Sequence, residues 1–150
     1  MAGQMAQLDG TCNCTALRKA SRYLTAAYDQ ALAPMGLRAT QFTILQKSAS
    51  NENVSVTELA EIMAMDRTTL ATNLKPLVRA GLVKVESFEA DRRRKIVNIT
   101  PDGLAKFEQA LPLWSEAQAK FEDNFGSEKA ADLRRLLSSV LQTGFDPWAA

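Results

Sequence analysis

The strongest constraint on this chain lies in residues 54–103, where two short helical patterns joined by a tight turn lead into two alternating apolar stretches. Ser55 and Glu58 form an S-x-x-E capping box, and Val54 and Leu59 are spaced for the hydrophobic staple beside it. Leu59, Ala60 and Met63 then share one face of a short amphipathic helix. Ala64 and Met65 supply a turn, and Asp66 is placed to cap the next helix by accepting from the amide of Thr68 or Thr69. In that helix Leu70, Leu74, Leu77 and Val78 recur at i, i+4, i+7 and i+8 and face inward. Arg67, Thr68, Ala71, Thr72 and Lys75 remain on the other face, with Thr69 beside them. Small hydroxyl side chains and a few cations suit a helix lying against base edges, because bulkier groups would hold it off the groove floor. Gly81 supplies a left-handed cap. Pro76 removes an amide and crowds the carbonyl of Thr72, so the helix should bend there, either harmlessly beyond the part that reads DNA or as a hinge.

Two strand patterns follow. Val83 and Val85 alternate with Lys84 and Glu86, and Val97 and Ile99 with Ile96 and Asn98. Residues 87–95 between them are mostly polar and end in Arg92, Arg93, Arg94 and Lys95. A charge run is usually a solvated loop. This one, however, sits at a hairpin tip directly after a candidate recognition helix. Helix, turn, helix and basic hairpin make the layout of a winged helix-turn-helix, in which the second helix enters the major groove and the wing reaches phosphates or the minor groove. The charge distribution agrees. The chain carries a formal net charge of only +1, yet residues 66–100 hold 8 basic and 4 acidic side chains. Residues 1–65 balance at 5 and 5, and residues 101–150 hold 5 and 8. Binding to a polyanion through residues 66–100 would weaken steeply with salt.

These residues resemble the MarR family of bacterial transcriptional regulators, named for multiple antibiotic resistance. The resemblance covers most of the chain. It is carried by Leu59-Ala60, Asp66-Arg67-Thr68-Thr69-Leu70, Ala80-Gly81-Leu82-Val83, Asp91-Arg92-Arg93 and Ile99-Thr100-Pro101-Asp102-Gly103, in that order and spacing. It implies that Arg93 inserts into the minor groove while Asp91 holds the wing or orients a nearby arginine, with Arg92, Arg94 and Lys95 contacting phosphates. It further implies binding near a promoter that blocks polymerase and an effector that lifts the block, with repression the usual outcome. Two departures stand out: Ala64 where the family often has a turn glycine, and Arg38 where it often has a capping threonine.

The flanks read as a dimerisation frame, giving a mainly α fold with a small β-hairpin wing. One helix is expected over 13–33, ending near Pro34-Met35-Gly36, and another over 39–48 with Phe42 and Leu45 inward and Ile44 a further candidate for that face. Thr100 caps and Pro101 opens a long helix bearing Leu104, Phe107, Leu111, Trp114, Phe121 and Phe125, kinked at Pro112. Gly126-Ser127 breaks it, and a last helix carries Leu133, Leu136, Leu137, Val140 and Leu141 before Phe145, Pro147 and Trp148. With 150 residues and 46% hydrophobic content, this is a single domain, or one protomer of an intertwined dimer. Residues 1–10 are expected to be a flexible start, 37–103 the reader, and about 11–36 and 104–150 the frame. An ordinary intrachain core accounts for some of these apolar side chains. The terminal ones are better buried against a second copy, giving a homodimer. Two recognition helices in such a dimer stand roughly 34–36 Å apart, so an operator in double-stranded DNA should be an inverted repeat. No apolar run is long enough to span a bilayer and no signal pattern opens the chain, so a cytoplasmic location is expected.

Two effector readings stay open. Cys12 and Cys14 are the only cysteines and fall at the start of the first long helix, where exposed amides lower a thiol's pKa. Their spacing makes an internal disulfide difficult, so an intersubunit bond is the favoured oxidised form. By resemblance, the family's organic-hydroperoxide branch also carries a reactive cysteine there. The thiols are either a sensor of oxidants, electrophiles or a thiophilic metal, or two small structural residues. Alternatively, a small aromatic or carboxylate effector binds between frame and reader, with Arg18 and Arg22 one turn apart and Tyr23, Met35, Phe42 and Trp114 as linings. These cations could equally be solvated and the aromatics ordinary core. Enzyme chemistry is disfavoured: the chain has no histidine, no phosphate-cradling glycine loop and no nucleophile elbow. No cofactor or intrachain metal site is implied, and a soft ion shared by paired protomers is the one metal arrangement left open. The rival classes are a non-specific architectural DNA-binding protein and a winged-helix protein–protein adaptor.

Overall fold

The computed structural model describes residues 1–144 and 146–149, and Asp9 by its backbone alone. Phe145, counted above with the apolar C-terminus, lies outside the described residues. The elements are α1 (Ala2–Thr11), α2 (Asn13–Leu32), a 3₁₀ turn (Ala33–Met35), α3 (Ala39–Ser50), β1 (Val54–Ser55), α4 (Val56–Ile62), α5 (Arg67–Arg79), β2 (Val83–Phe88), β3 (Asp91–Ile99), α6 (Pro101–Phe125) and α7 (Ser127–Val140). This is a mainly helical winged helix-turn-helix flanked by long helices. The stretch expected to be a flexible start falls largely within α1, whose described side chains are exposed.

The capping box forms as the sequence demands. Ser55 Oγ accepts the Glu58 amide at 3.0 Å and Glu58 Oε2 accepts the Ser55 amide at 2.9 Å. Val54 and Ser55 also pair with Val97 and Ile96, which makes the sheet three-stranded in the order β1-β3-β2 rather than a bare hairpin. Covered from that side, Ile96 is buried along with Val97, although alternation put it outside. Asp66 occupies the N-cap position of α5 in extended backbone, but its carboxylate makes no capping bond. The first-turn amides of α5 therefore keep no side-chain partner from it.

At the start of α3, Arg38 has no acceptor with which to cap. The Gln41 side chain accepts the Arg38 amide at 2.9 Å, and Asp29 of α2 accepts the Ala39 amide at 2.7 Å. The missing cap is thus shared between Gln41 of α3 itself and Asp29 of the neighbouring helix, which also ties α2 to α3.

Leu32, Ile44, Leu45, Leu59, Leu70, Leu77, Val83 and Val97 close the reader's core around α3. Val78 departs from the expected inward face and is 43% exposed. Eight residues at about 100° each carry it roughly 80° round the helix from Leu70, to the edge of the apolar stripe. Both Pro76 and Pro112 lie within continuous helices. Thr72, whose carbonyl loses its i+4 donor to Pro76, is exposed to water, so the loss is tolerated.

The core extends to the frame through aromatic stacking. The Phe42 ring lies 4.8 Å from Phe107 and 6.0 Å from Trp114, and Tyr28 stacks on Trp114 and donates its hydroxyl proton to Gln118. Gly103 shows how closely the reader meets α6: a Cβ there would collide with the Leu82 carbonyl oxygen. Beside it Thr100 Oγ1 donates to the Gly81 carbonyl at 2.6 Å and accepts the Gly103 amide at 3.0 Å. One hydroxyl thus joins the exit of α5 to the start of α6.

Ala64 carries a physical cost. Its φ of 51° is left-handed, a region that burdens a residue bearing Cβ by roughly 1 kcal/mol. Ala64→Gly is expected to raise stability by about 0.5–1 kcal/mol, and the thermal midpoint by roughly 1–4 °C, as read by calorimetry. A lower midpoint would show that the turn gains more from alanine's stiffer unfolded chain than it loses in strain.

Among the described residues no helix is long and apolar enough to cross a membrane, and no group of three or more cysteines or carboxylates is arranged to hold a metal ion.

Candidate nucleic-acid interface

The outer face of α5 and the wing enclose an open cleft of about 830 Å³. It brings together Arg67, Thr68, Ala71 and Lys75 from the helix with Arg93, Arg94 and Lys95 from the wing. Thr69, Thr72, Asp91 and Arg92 are exposed nearby but do not line it. The Thr72 hydroxyl donates to the Thr68 carbonyl at 3.0 Å, which orients it along the helix, and Arg67 donates to the Thr57 hydroxyl at 3.2 Å. Sequence reasoning missed Arg79, Val78 and Val85, which also line the cleft. Continuing the Ala71–Lys75 spacing by one more turn reaches Arg79, so that signal was present. Val85 was not readable, since its contribution depends on how the sheet curls toward α5.

The wing differs from a charged loop. Ladder pairing runs from Val83–Ile99 to Ser87–Lys95 and resumes at Phe88–Asp91, so residues 92–94 have no partners across the hairpin. The tip is a tight turn through Glu89 and Ala90, and the three arginines occupy a bulge in β3. Bulges re-aim side chains that a regular strand would alternate. Asp91 Oδ1 accepts the Arg93 amide at 3.0 Å and so fixes the bulge from within.

Arg94, expected to contact phosphate alongside Arg92 and Lys95, is tied back to α4. Its Nη2 donates to Glu58 Oε1 at 3.1 Å, and its guanidinium lies 5.8 Å from the centre of the Phe88 ring. The Ser55 amide and hydroxyl hold the Glu58 carboxyl below the usual carboxylate range, with Arg94 adding to the effect.

The effector residues do not gather into one site. Tyr23 is 76% exposed and lines a cavity of about 630 Å³ between α2 and α6. Phe42 and Trp114 border a separate one of about 320 Å³, while Phe42 itself is only 5% exposed within the core. Arg18 and Arg22 line neither, and Met35 packs against the core.

The thiols are better placed. Cys12 is the N-cap of the 20-residue helix α2, where its Sγ accepts the Thr15 hydroxyl at 3.2 Å and the Thr15 amide at 3.4 Å. Both bonds favour the thiolate, the hydroxyl most, and lower the Cys12 pKa from its ordinary value. Cys14 is exposed one residue into the helix turn.

Comparison with known proteins gives this architecture its context. Residues 35–94 match the model of the MarR family. The chain is 27% identical over 111 residues to the multiple antibiotic resistance protein MarR of Salmonella typhimurium, covering 73% of this chain and 77% of that protein. It is 27% identical over 100 residues to the organic hydroperoxide resistance transcriptional regulator of Bacillus subtilis, covering 67% and 68%. Its fold superposes with a TM-score of 0.77 on the transcriptional regulator MosR of M. tuberculosis, solved in complex with DNA, at 35% identity over 89% of this chain and 99% of that one. With the helix-turn-helix, its wing and its flanking helices all matched, the chain belongs to the MarR family of transcriptional regulators.

Proposed function

We propose that this regulator is a homodimeric repressor that reads an inverted-repeat operator and is released when Cys12 is oxidised or alkylated. The observation that carries the DNA reading is the cleft in which the exposed face of α5 meets the arginine bulge of the wing. The MosR relative, solved with DNA, supports it. Thr68, Thr69, Ala71 and Thr72 offer hydroxyls and methyl groups to base edges, while Arg67 and Lys75 supply charge. Arg93 reaches the minor groove, and Arg92 and Lys95 neutralise phosphates. Dimerisation supplies the two-fold symmetry. Leu136 is 66% and Leu141 71% exposed in the single chain, with Leu137, Val140 and Leu17 also uncovered, so the frame offers apolar surface to a second copy.

For the effector, the Cys12 thiolate attacks the terminal oxygen of a hydroperoxide. The O–O bond breaks, the alkoxide leaves and is protonated to an alcohol, and the sulfur becomes a sulfenic acid. The Thr15 bonds to sulfur are then replaced or lost at the start of α2, a helix packed on both α3 and α6.

One experiment tests both halves. Duplexes bound by the reduced protein are selected from a random pool, and the selection is repeated after treatment with an organic hydroperoxide. An inverted repeat with half-sites about one helical turn apart is expected to emerge, with at least roughly tenfold loss of affinity on oxidation that Cys12→Ser abolishes. A pool without sequence enrichment would favour an architectural protein, and one that bound nothing an adaptor. Unchanged affinity with both thiols shown by mass to be oxidised would remove the thiol switch.

A further inference from the structure

We propose that Glu58 is a positioning residue for the DNA-contacting wing: its carboxylate holds the arginine bulge against α4 and so sets where Arg93 stands relative to α5. The inference rests on the DNA reading above and deepens it.

The geometry begins with the cap. Glu58 Oε2 is occupied by the Ser55 amide at 2.9 Å, which restrains the side chain and leaves Oε1 as its outward acceptor. Oε1 accepts Arg94 Nη2 at 3.1 Å. Residues 92–94 have no ladder partners, because pairing passes from Ser87–Lys95 to Phe88–Asp91. The bulge therefore depends on side chains for its place. Asp91 Oδ1 on the Arg93 amide fixes its internal shape but touches only the wing. Among the described residues, Glu58–Arg94 is the hydrogen bond that joins this bulge to a helix of the reader. Phe88 beneath the guanidinium completes the seat at 5.8 Å.

A bulge tethered beforehand loses less freedom when it meets a duplex, so the tether favours the geometry that a specific site requires. Simple electrostatics predicts the opposite sign, because Glu58 is an anion near a surface meant for a polyanion and deleting its charge should strengthen binding. The direction of the effect therefore separates positioning from plain charge.

The test compares full-length reduced Glu58→Gln, Arg94→Gln and the double variant, each with the selected operator and with a scrambled duplex. Glutamine keeps an oxygen for the Ser55 amide, so the cap survives while the ionic partner of Arg94 is lost. Both partners are about half exposed, so the effect is modest. Glu58→Gln is expected to weaken operator binding about three- to fivefold while leaving scrambled duplex unchanged or bound more tightly. In the Arg94→Gln background it should have no further effect. Arg94→Lys, which keeps a cation for Glu58, should fall between wild type and Arg94→Gln. Equal weakening by Glu58→Gln in both backgrounds, or tighter operator binding, would overturn the assignment. Arg93→Ala run alongside separates the failures. If it leaves operator affinity intact, the wing reading itself falls. If it weakens binding while Glu58→Gln does not, only the positioning role is lost.

Discussion

Arg93→Ala is expected to weaken operator binding by about ten- to a hundredfold, the equivalent of roughly 1–3 kcal/mol for one well-placed arginine. Arg93 lies in the unpaired bulge of β3, with its backbone held by Asp91 and its side chain exposed beside the reading face of α5. Nothing in the core depends on it, so thermal stability should change by less than about 0.5 kcal/mol. The salt dependence of binding should also become shallower, because one fewer cation displaces counterions from the duplex. Asp91→Ala should act in the same direction but more weakly, since it frees the bulge without removing a charge that meets DNA. Titration of labelled duplex at several salt concentrations reads all of these. An Arg93→Ala protein with wild-type affinity would show that the wing does not touch the duplex.

The second large effect concerns assembly. Leu136→Glu combined with Leu141→Glu is expected to convert the proposed dimer to a single chain that folds but binds the operator about 10²–10⁴-fold more weakly. The two leucines are the most exposed large apolar side chains on and just beyond α7, and α7 buries only Ala130 on its own. Burial of each in a symmetric interface contributes about 1.5–3 kcal/mol and occurs twice, so a carboxylate at both positions removes most of what such an interface offers. The reader keeps its own core, but Leu141 shares a cavity with Thr57, Arg67 and Thr68, so Leu136→Glu alone, outside that cavity, separates lost assembly from a direct effect on the reader. Far-ultraviolet circular dichroism should therefore stay unchanged while sedimentation velocity reports half the mass. A charged variant that remained dimeric would place the interface elsewhere on the frame.

The parts legible in the sequence are those specified by neighbours along the chain. Ser55 and Glu58 announce α4, Gly81 ends the α5 region with φ of 72°, and Thr100 with Pro101 starts α6. Leu70, Leu74 and Leu77 take the inward face that their spacing requires. Most of the misreadings involve partners distant in sequence. Strand β1 is two residues long and exists because β3 lies beside it, so no periodicity could reveal it. The arginine run looked like loop because charge hides strand character, and the bulge depends on a register that only the folded hairpin defines. Asp66 has the residue type and position of a cap without the bond, while Arg38 lacks the type and has its cap supplied by Asp29 and Gln41. The pairing of Arg94 with Glu58 spans 36 positions and was invisible for the same reason. Of the effector residues, Cys12 owes its polarised thiol to Thr15 one helical turn away, whereas Arg18, Arg22, Tyr23 and Phe42 line no common cavity of the single chain among the described residues.

The central claim is that two copies of this chain grip one duplex through paired α5 helices and wings. The most direct measurement is the stoichiometry and affinity of the reduced protein on the selected inverted repeat, set against the same duplex with one half-site scrambled. The account predicts two protomers on the intact repeat and a loss of about 10²-fold or more when either half is scrambled. One protomer per duplex, with the same affinity for both, would contradict it.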